Sequence, residues 1–143
     1  MEYDTTKIAI LDAGKLDDFK KYKSAKLNDE DFIEIERLLK LSVFNYNSNQ
    51  IMRIPNYQKK YPDIVVWEEN VTINLDNYKR QYIPYINGNG EKLVWVYCVI
   101  NARVHEQWEK EVLYATGGGD NYFWVTINLN SKTQKDFSIN GPA

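Results

Sequence analysis

The stretch NDEDFIEIERLLKLSVFNY, residues 28–46, decides the fold because its apolar side chains recur at steps of three and four residues. That spacing predicts an α-helix with a single apolar stripe. Asn28 can cap the free amides of the first turn, and the acidic run 29–31 opposes the positive end of the helix dipole. The amide-rich stretch 45–50 predicts the end of the helix. The stripe consists of Phe32, Ile35, Leu38, Leu39, Ser42, Val43 and Tyr46.

Beyond residue 77 the sequence favours antiparallel strands joined by short turns. The tetrapeptide Asn87-Gly88-Asn89-Gly90 predicts a type I′ hairpin turn, because Asn-Gly readily adopts the two positive φ angles that this turn needs. Further turns are predicted at residues 116–120 and 130–133. Strands with such short connections pair in sequence order by default. The predicted strands are 78–86, 92–100, 108–115, 121–130 and 134–139.

The strand 121–130 indicates which face of the sheet the helix covers. Phe123, Val125 and Ile127 form an apolar row, whereas the alternate row around Trp124 mixes aromatic and polar side chains. The apolar row is therefore expected to face the helix. The sequence predicts an α+β fold in which one long N-terminal helix packs on a four- to five-stranded antiparallel meander, as in cystatin-like or NTF2-like architectures.

A chain of 143 residues fits a single domain, which we place at 1–143. Residues 1–27 are predicted to be a peripheral or partly ordered segment, with a short edge strand at 7–11. Two prolines break the segment 51–77, for which we predict irregular structure with one short strand.

The charge balance and the Cys and His counts exclude several classes of protein. Lys and Arg number 18 against 20 Asp and Glu, so no positive excess is left for nucleic acid or an anionic membrane. No apolar run approaches the roughly 18 residues of a membrane span. One Cys excludes an internal disulfide, and one Cys with one His argues against a zinc site. We therefore predict no metal, no cofactor and no nucleic-acid partner.

The strongest candidate binding surface is an aromatic patch on the sheet face opposite the helix. Rigid aromatic rings offer a large contact area for little lost entropy, so such patches bind proteins, peptides or sugars. Two alternatives stay open: a second layer from residues 1–25 or 51–77 covers the patch, or a second copy of the chain covers it in a homodimer. The patch would consist of Trp95, Tyr97, Tyr122 and Trp124.

The motifs that could carry catalysis are incomplete. The run HEQWE at 105–109 lacks the second His of a metalloprotease helix. The glycines 117–119 precede Asp120 and a strand, which indicates a hairpin loop instead of a phosphate cradle. Cys98 lies in an apolar strand, where thiols are usually inert, and the carboxylates at 106–111 alternate like a solvated strand face. We predict no catalytic residue and expect that the protein is not an enzyme.

Four blocks of the sequence are distinctive: YKRQYIP at 78–84, GEK followed by VWV within 90–96, GGDNYF running into INL within 118–129, and ING at 139–141. In combination, these blocks resemble a family of uncharacterised small bacterial proteins that are usually exported, often as lipoproteins. The resemblance covers roughly residues 28–143 and implies a compact α+β domain in the periplasm or at the cell surface. It implies no activity and no catalytic residues. Because the residues after Met1 do not form a basic and then apolar signal, this location requires that an export signal has been removed.

We therefore expect a non-enzymatic binding or interaction module of an exported bacterial protein, with another protein or a peptide as its partner. The alternative is an NTF2-like small-ligand-binding protein or enzyme with a pocket between helix and sheet. A pocket of several hundred Å³ with converging polar groups favours the alternative, whereas a packed interface leaves only the surfaces for binding.

Overall fold

A computed structural model describes residues 3–141 of the chain. One long helix packs on a six-stranded sheet, so the predicted α+β class with a helix on a largely antiparallel sheet is confirmed. The elements in chain order are β1 Ile8–Ile10, β2 Lys23–Ser24, α1 Asp29–Lys60, α2 Glu68–Val71, β3 Tyr78–Ile86, β4 Lys92–Ile100, β5 Tyr122–Asn128 and β6 Thr133–Ile139.

The sheet has the order β1-β3-β4-β5-β6, and the short β2 also pairs with β3. Strands β3 to β6 pair antiparallel with their sequence neighbours, as the meander prediction requires. The predicted edge strand at 7–11 is present as β1, but it runs parallel to β3, with Ile8 opposite Arg80. The parallel direction arises because the chain passes through α1 between β1 and β3, and parallel strands need such a crossover.

The first hairpin lies where the Asn-Gly pattern predicts, but its turn is not type I′. Gly90 has a positive φ of 77°, whereas Asn87, Gly88 and Asn89 do not. The Asn87 side chain instead accepts hydrogen bonds from the amides of Asn89 and Glu91, at 3.0 and 2.9 Å. A turn that is closed by the Asn87 side chain needs only one residue in the left-handed conformation, and Gly90 adopts that conformation without strain.

Helix α1 begins as predicted. The Asn28 side chain accepts from the Asp31 amide at 2.9 Å, and the Asp31 carboxylate accepts from the Asn28 amide at 3.0 Å. This capping box satisfies two backbone groups at once. The apolar stripe packs against the predicted face of the sheet, in a core built from Ile35, Leu38, Leu39, Val43, Val94, Val96, Phe123, Val125 and Ile127.

The end of α1 differs from the prediction, because the helix continues through residues 45–50 as far as Lys60. The Asn47 side chain forms two hydrogen bonds with the backbone of Ile73. Its Nδ2 donates to the Ile73 carbonyl and its Oδ1 accepts from the Ile73 backbone N–H, both at 2.8 Å. Because these bonds engage the side chain with a distant segment, it does not compete with the helix for hydrogen bonds to the neighbouring backbone. The structure also replaces the short strand predicted within 51–77 with α2 and a 3-10 turn at Leu75–Asn77.

Two segments that we call the outer cover, residues 11–22 and 104–113, lie against the sheet face opposite α1. The predicted strand 108–115 is therefore wrong, and residues 106–110 form turns. Strand β5 already occupies the free edge of β4, so this segment crosses the face of the sheet instead. The apolar contacts of the cover come from Leu11, Ala13, Leu16, Phe19, Tyr22, Val104, Trp108, Val112 and Leu113.

A single buried glutamine fixes the second segment of the cover. The Gln81 Nε2 donates to the carbonyls of Trp108 and Glu111, at 2.6 and 2.5 Å, and its Oε1 accepts from the Leu113 amide at 3.0 Å. Gln81 is only 1% exposed. Its amide therefore supplies the hydrogen bonds that a strand would have found in a neighbouring strand.

Candidate functional site

The structure brings the four predicted aromatic residues together on one sheet face. Trp95 and Tyr97 stack with their ring centroids 5.1 Å apart and their planes 10° from parallel. The Tyr97 centroid also lies 6.2 Å from that of Trp124 and 6.4 Å from that of Tyr122. The grouping follows from the register, which pairs Tyr97 with Trp124.

This aromatic cluster is packed beneath the outer cover. Phe19 contacts Trp95 with a centroid separation of 5.6 Å, and Tyr97 is only 2% exposed. Burial raises the pKa of the Tyr97 hydroxyl to about 12. Of the two predicted covering segments, residues 1–25 contribute, whereas the segment 104–113 takes the place assigned to 51–77. The rings serve packing in this arrangement, and their role in binding stays a prediction.

Exposed apolar side chains are concentrated instead on residues 48–71, which we call the distal arm. The arm comprises the second half of α1, the loop that follows it and α2. None of its residues is buried, and Val65 is 67% exposed. Large exposed apolar groups of the arm are Met52, Tyr57, Tyr61, Ile64, Val65 and Trp67.

The distal arm keeps its shape through the amide side chain of Gln58. Its Nε2 donates to the carbonyls of Tyr61 and Ile64, and its Oε1 accepts from the Val66 amide at 3.3 Å. These contacts fold the loop back along α1. Together with the bonds between Asn47 and Ile73, they hold both ends of the returning segment against the helix.

A groove of about 520 Å³, the arm groove, lies between α1 and the returning segment. The lining is mostly aliphatic, and Arg53 is its only charged residue. The Arg53 guanidinium contacts the Gln50 side chain at 3.4 Å, which is a weak hydrogen bond. A second groove of about 590 Å³ shares Ile54 and Val66 with the first and carries acidic groups. The arm groove is lined by Gln50, Arg53, Ile54, Tyr57, Ile64, Val65, Val66, Asn70 and Val71.

The interface between α1 and the sheet contains the packed apolar core, and a polar cleft lies beside it. This polar cleft of about 420 Å³ lies where the N-terminal segment meets α1 and β3. Its deepest charged groups are Arg80 and Glu36, whose side chains are 5% and 9% exposed and approach to 3.4 Å. Lys40 lies 3.8 Å from the same Glu36 oxygen.

Cys98, His105 and the glycine run 117–119, which belong to incomplete catalytic motifs, lie apart from these hollows. Burial raises the pKa of the Cys98 thiol to about 12, which keeps the thiol protonated at neutral pH. His105 lies in an exposed turn, where its Nδ1 accepts from the Gln107 amide at 3.1 Å. The glycine run leads through the 3-10 turn Gly119–Asn121 into β5. Neither the Cys98 thiol nor the His105 imidazole nor the glycine run lines any of the three hollows described above.

The described part of the chain contains neither a cluster of metal ligands nor a helix that could span a membrane. Between residues 3 and 141, no group of three or more His, Cys, Asp or Glu side chains is arranged to hold a metal ion. Over the same range, no helix has both the length and the apolar character of a membrane span.

Comparison with known proteins assigns no family. No protein-family model matches the chain, and neither the curated proteins nor the solved structures give a match. The resemblance to exported bacterial proteins and the location that it implies therefore stay predictions.

Sequence reasoning missed the distal arm and the polar cleft. The apolar run Ile64–Trp67 after Pro62 could have indicated the arm. It is too short for a helix and has no neighbouring strand to pair with, so its apolar side chains were candidates for an exposed surface. For the cleft, the basic-aromatic cluster at 78–82 indicated a salt bridge from this strand to the acidic start of the helix, but it did not identify Glu36, which lies 44 residues from Arg80 in sequence.

Proposed function

We propose that the protein is a non-enzymatic interaction module that binds an apolar, acidic peptide segment of another protein in the arm groove. The supporting observation is the concentration of large exposed apolar side chains on the distal arm, three of which, Tyr57, Ile64 and Val65, line this groove. Contiguous apolar surface exposed to water is characteristic of interaction sites, whereas scattered single residues are ordinary.

The volume and the lining of the groove favour a peptide with aliphatic side chains. A volume of about 520 Å³ lies within the range of about 300–1,000 Å³ that is typical of binding pockets. The aliphatic walls offer favourable burial to apolar groups, and the polar amides of Gln50 and Asn70 can orient a peptide backbone.

The acidic character of the partner follows from Arg53. Its guanidinium is the only charge in the lining, and among the described residues it forms one hydrogen bond, to the neutral Gln50 side chain at 3.4 Å. A carboxylate on the partner would form a charge-assisted pair there, which is stronger than a neutral hydrogen bond. The hydrogen bonds of Gln58 hold the groove in shape before binding, so little ordering cost remains for the complex.

Panning a displayed library of random peptides against the protein tests this proposal. We expect the selected peptides to combine aliphatic residues with at least one Asp or Glu. Their affinity, measured by fluorescence polarisation, should fall about tenfold or more for Arg53→Glu and for Val65→Ser. Both side chains are exposed, so the melting temperature should change little.

The matched control is Ile10→Ser, which removes an exposed apolar side chain from β1 outside the groove. Peptide affinity should be unchanged in this variant. Equal losses in the control and in Val65→Ser would contradict the proposal, as would selected peptides without carboxylates. A concentration-dependent dimer abolished by Val65→Ser would show that a second copy occupies the groove instead.

A further inference from the structure

The second groove of the distal arm adjoins the arm groove and carries the opposite charge. Ile54 and Val66 line both hollows, so the two grooves meet at these side chains. The charged residues of the second groove are Glu68 and Glu69, whereas Arg53 is the only charged residue of the arm groove. The second groove has a volume of about 590 Å³ and is lined by Ile51, Ile54, Pro55, Val66, Trp67, Glu68 and Glu69.

The periodicity of α1 accounts for the separation of the two grooves. Residues 50, 53, 54 and 57 line the arm groove, and their steps of three and four residues place them on one face of the helix. Ile51 and Pro55 line the second groove, and each follows an arm-groove residue by one position, which is about 100° further around the helix. A peptide that spans both hollows therefore meets a positive group in one and negative groups in the other.

The carboxylates of Glu68 and Glu69 are available to a partner. Both residues are exposed, and the salt bridges formed among the described residues involve neither of them. Trp67 precedes them and is 61% exposed, although tryptophan is on average a well-buried residue. A basic side chain in the second groove would meet an aromatic ring and two carboxylates, and each of these groups attracts a cation.

We propose, on the basis of the function proposed above, that the partner peptide extends over both grooves and places an arginine or lysine side chain in the second groove. Its aliphatic residues cover Ile54 and Val66, where the grooves meet. The apolar stem of the basic residue lies along the aliphatic lining, and its charged end reaches the carboxylates beside Trp67. The opposite charges also fix the direction of the peptide, because the reversed peptide would bring like charges together at Arg53 and at Glu68.

The probes for the test are peptides that the full chain selects from a displayed library of random sequences. We expect them to carry an Arg or Lys in addition to aliphatic and acidic residues. In one selected peptide, replacing this basic residue with Gln should lower the affinity about tenfold, as measured by fluorescence polarisation.

A double-mutant cycle assigns the basic residue of the peptide to the second groove. The variant Glu68→Gln/Glu69→Gln should bind the parent peptide about tenfold more weakly, but it should bind the Gln peptide as the unmodified protein does. Both positions are exposed, so the melting temperature should change little. The matched control is Glu106→Gln/Glu109→Gln, which removes the same charge at exposed positions outside the groove and should leave both affinities unchanged.

The outcomes distinguish this proposal from the proposed function. Peptides that lose affinity in Val65→Ser but bind Glu68→Gln/Glu69→Gln normally would overturn the role of the second groove and leave the function of the arm groove standing. Selected peptides without Arg or Lys would do the same, as would equal losses in the Glu106→Gln/Glu109→Gln control. Peptides whose affinity is insensitive to Val65→Ser would overturn the proposed function itself.

Discussion

Replacing Gln81 with leucine should release the segment 104–113 from the sheet while leaving the core beneath α1 intact. Leucine has a similar size and keeps the site apolar, but it removes all three hydrogen bonds that hold the segment. The aromatic residues below it would then become accessible, including Tyr97, which is 2% exposed in the folded protein.

The expected loss of stability follows from these three bonds. A hydrogen bond contributes about 0.5–1.5 kcal/mol net, and an unsatisfied buried group costs about 1–3 kcal/mol. The freed carbonyls of Trp108 and Glu111 can turn to water because the segment lies at the surface, so only part of that penalty applies. We expect a decrease in the free energy of unfolding of about 2–4 kcal/mol, which for a domain of this size lowers the melting temperature by about 10 °C.

Hydrogen exchange distinguishes release of the segment from general destabilisation. The Leu113 amide should lose its protection in Gln81→Leu, whereas the amides of Ile35 to Val43 in α1 should lose only the part that corresponds to the lower free energy of global unfolding. Gln107→Leu makes the same substitution at an exposed position of the same segment and should change neither stability nor exchange. A stability change below about 1 kcal/mol, or equal loss of protection in α1 and at Leu113, would refute the reasoning.

Three further predictions concern groups in the core and beside β5. Tyr82→Phe should leave the free energy of unfolding unchanged or raise it by about 1 kcal/mol, because the buried hydroxyl has no partner among the described residues. A clearly lower free energy of unfolding in chemical denaturation would contradict this. Cys98 should react with a thiol reagent only at the rate of unfolding, since the thiol is buried and its pKa is raised to about 12; rapid labelling of the native protein would refute it. Burial raises the pKa of Asp120 above its ordinary value of 3.8, so the folded state binds the proton more tightly and stability falls as pH rises through that region. Asp120→Asn should therefore raise the melting temperature at pH 7, and this gain should disappear below pH 4; a gain independent of pH would contradict the assignment.

Separate variants can address the arm groove and the polar cleft. The arm groove and the polar cleft lie on different parts of the fold, so Val65→Ser and Lys40→Ala can be tested independently. Stability effects of substitutions that share no contacts are usually additive, so the double variant should retain the fold.

The sequence by itself determined those features that depend on neighbours along the chain. The Asn28 cap with its Asp31 partner marks the start of α1, and the alternation within β5 assigns Phe123 and Val125 to the helix side. The position of the first hairpin follows from its Asn-Gly pattern. These features could be predicted because capping, alternation and tight turns are decided within a few residues.

Only the tertiary structure decided the end of α1, the outer cover and both candidate sites. Helix α1 continues past Asn47 because the Asn47 side chain is bonded to Ile73. Residues 108–113 form a covering loop instead of the predicted strand because Gln81 satisfies their backbone groups. A polar side chain in the sequence does not reveal which distant backbone group will satisfy it. The physical reason is that buried amides and charges must find partners wherever the folded chain places them, and that placement depends on contacts distant in sequence.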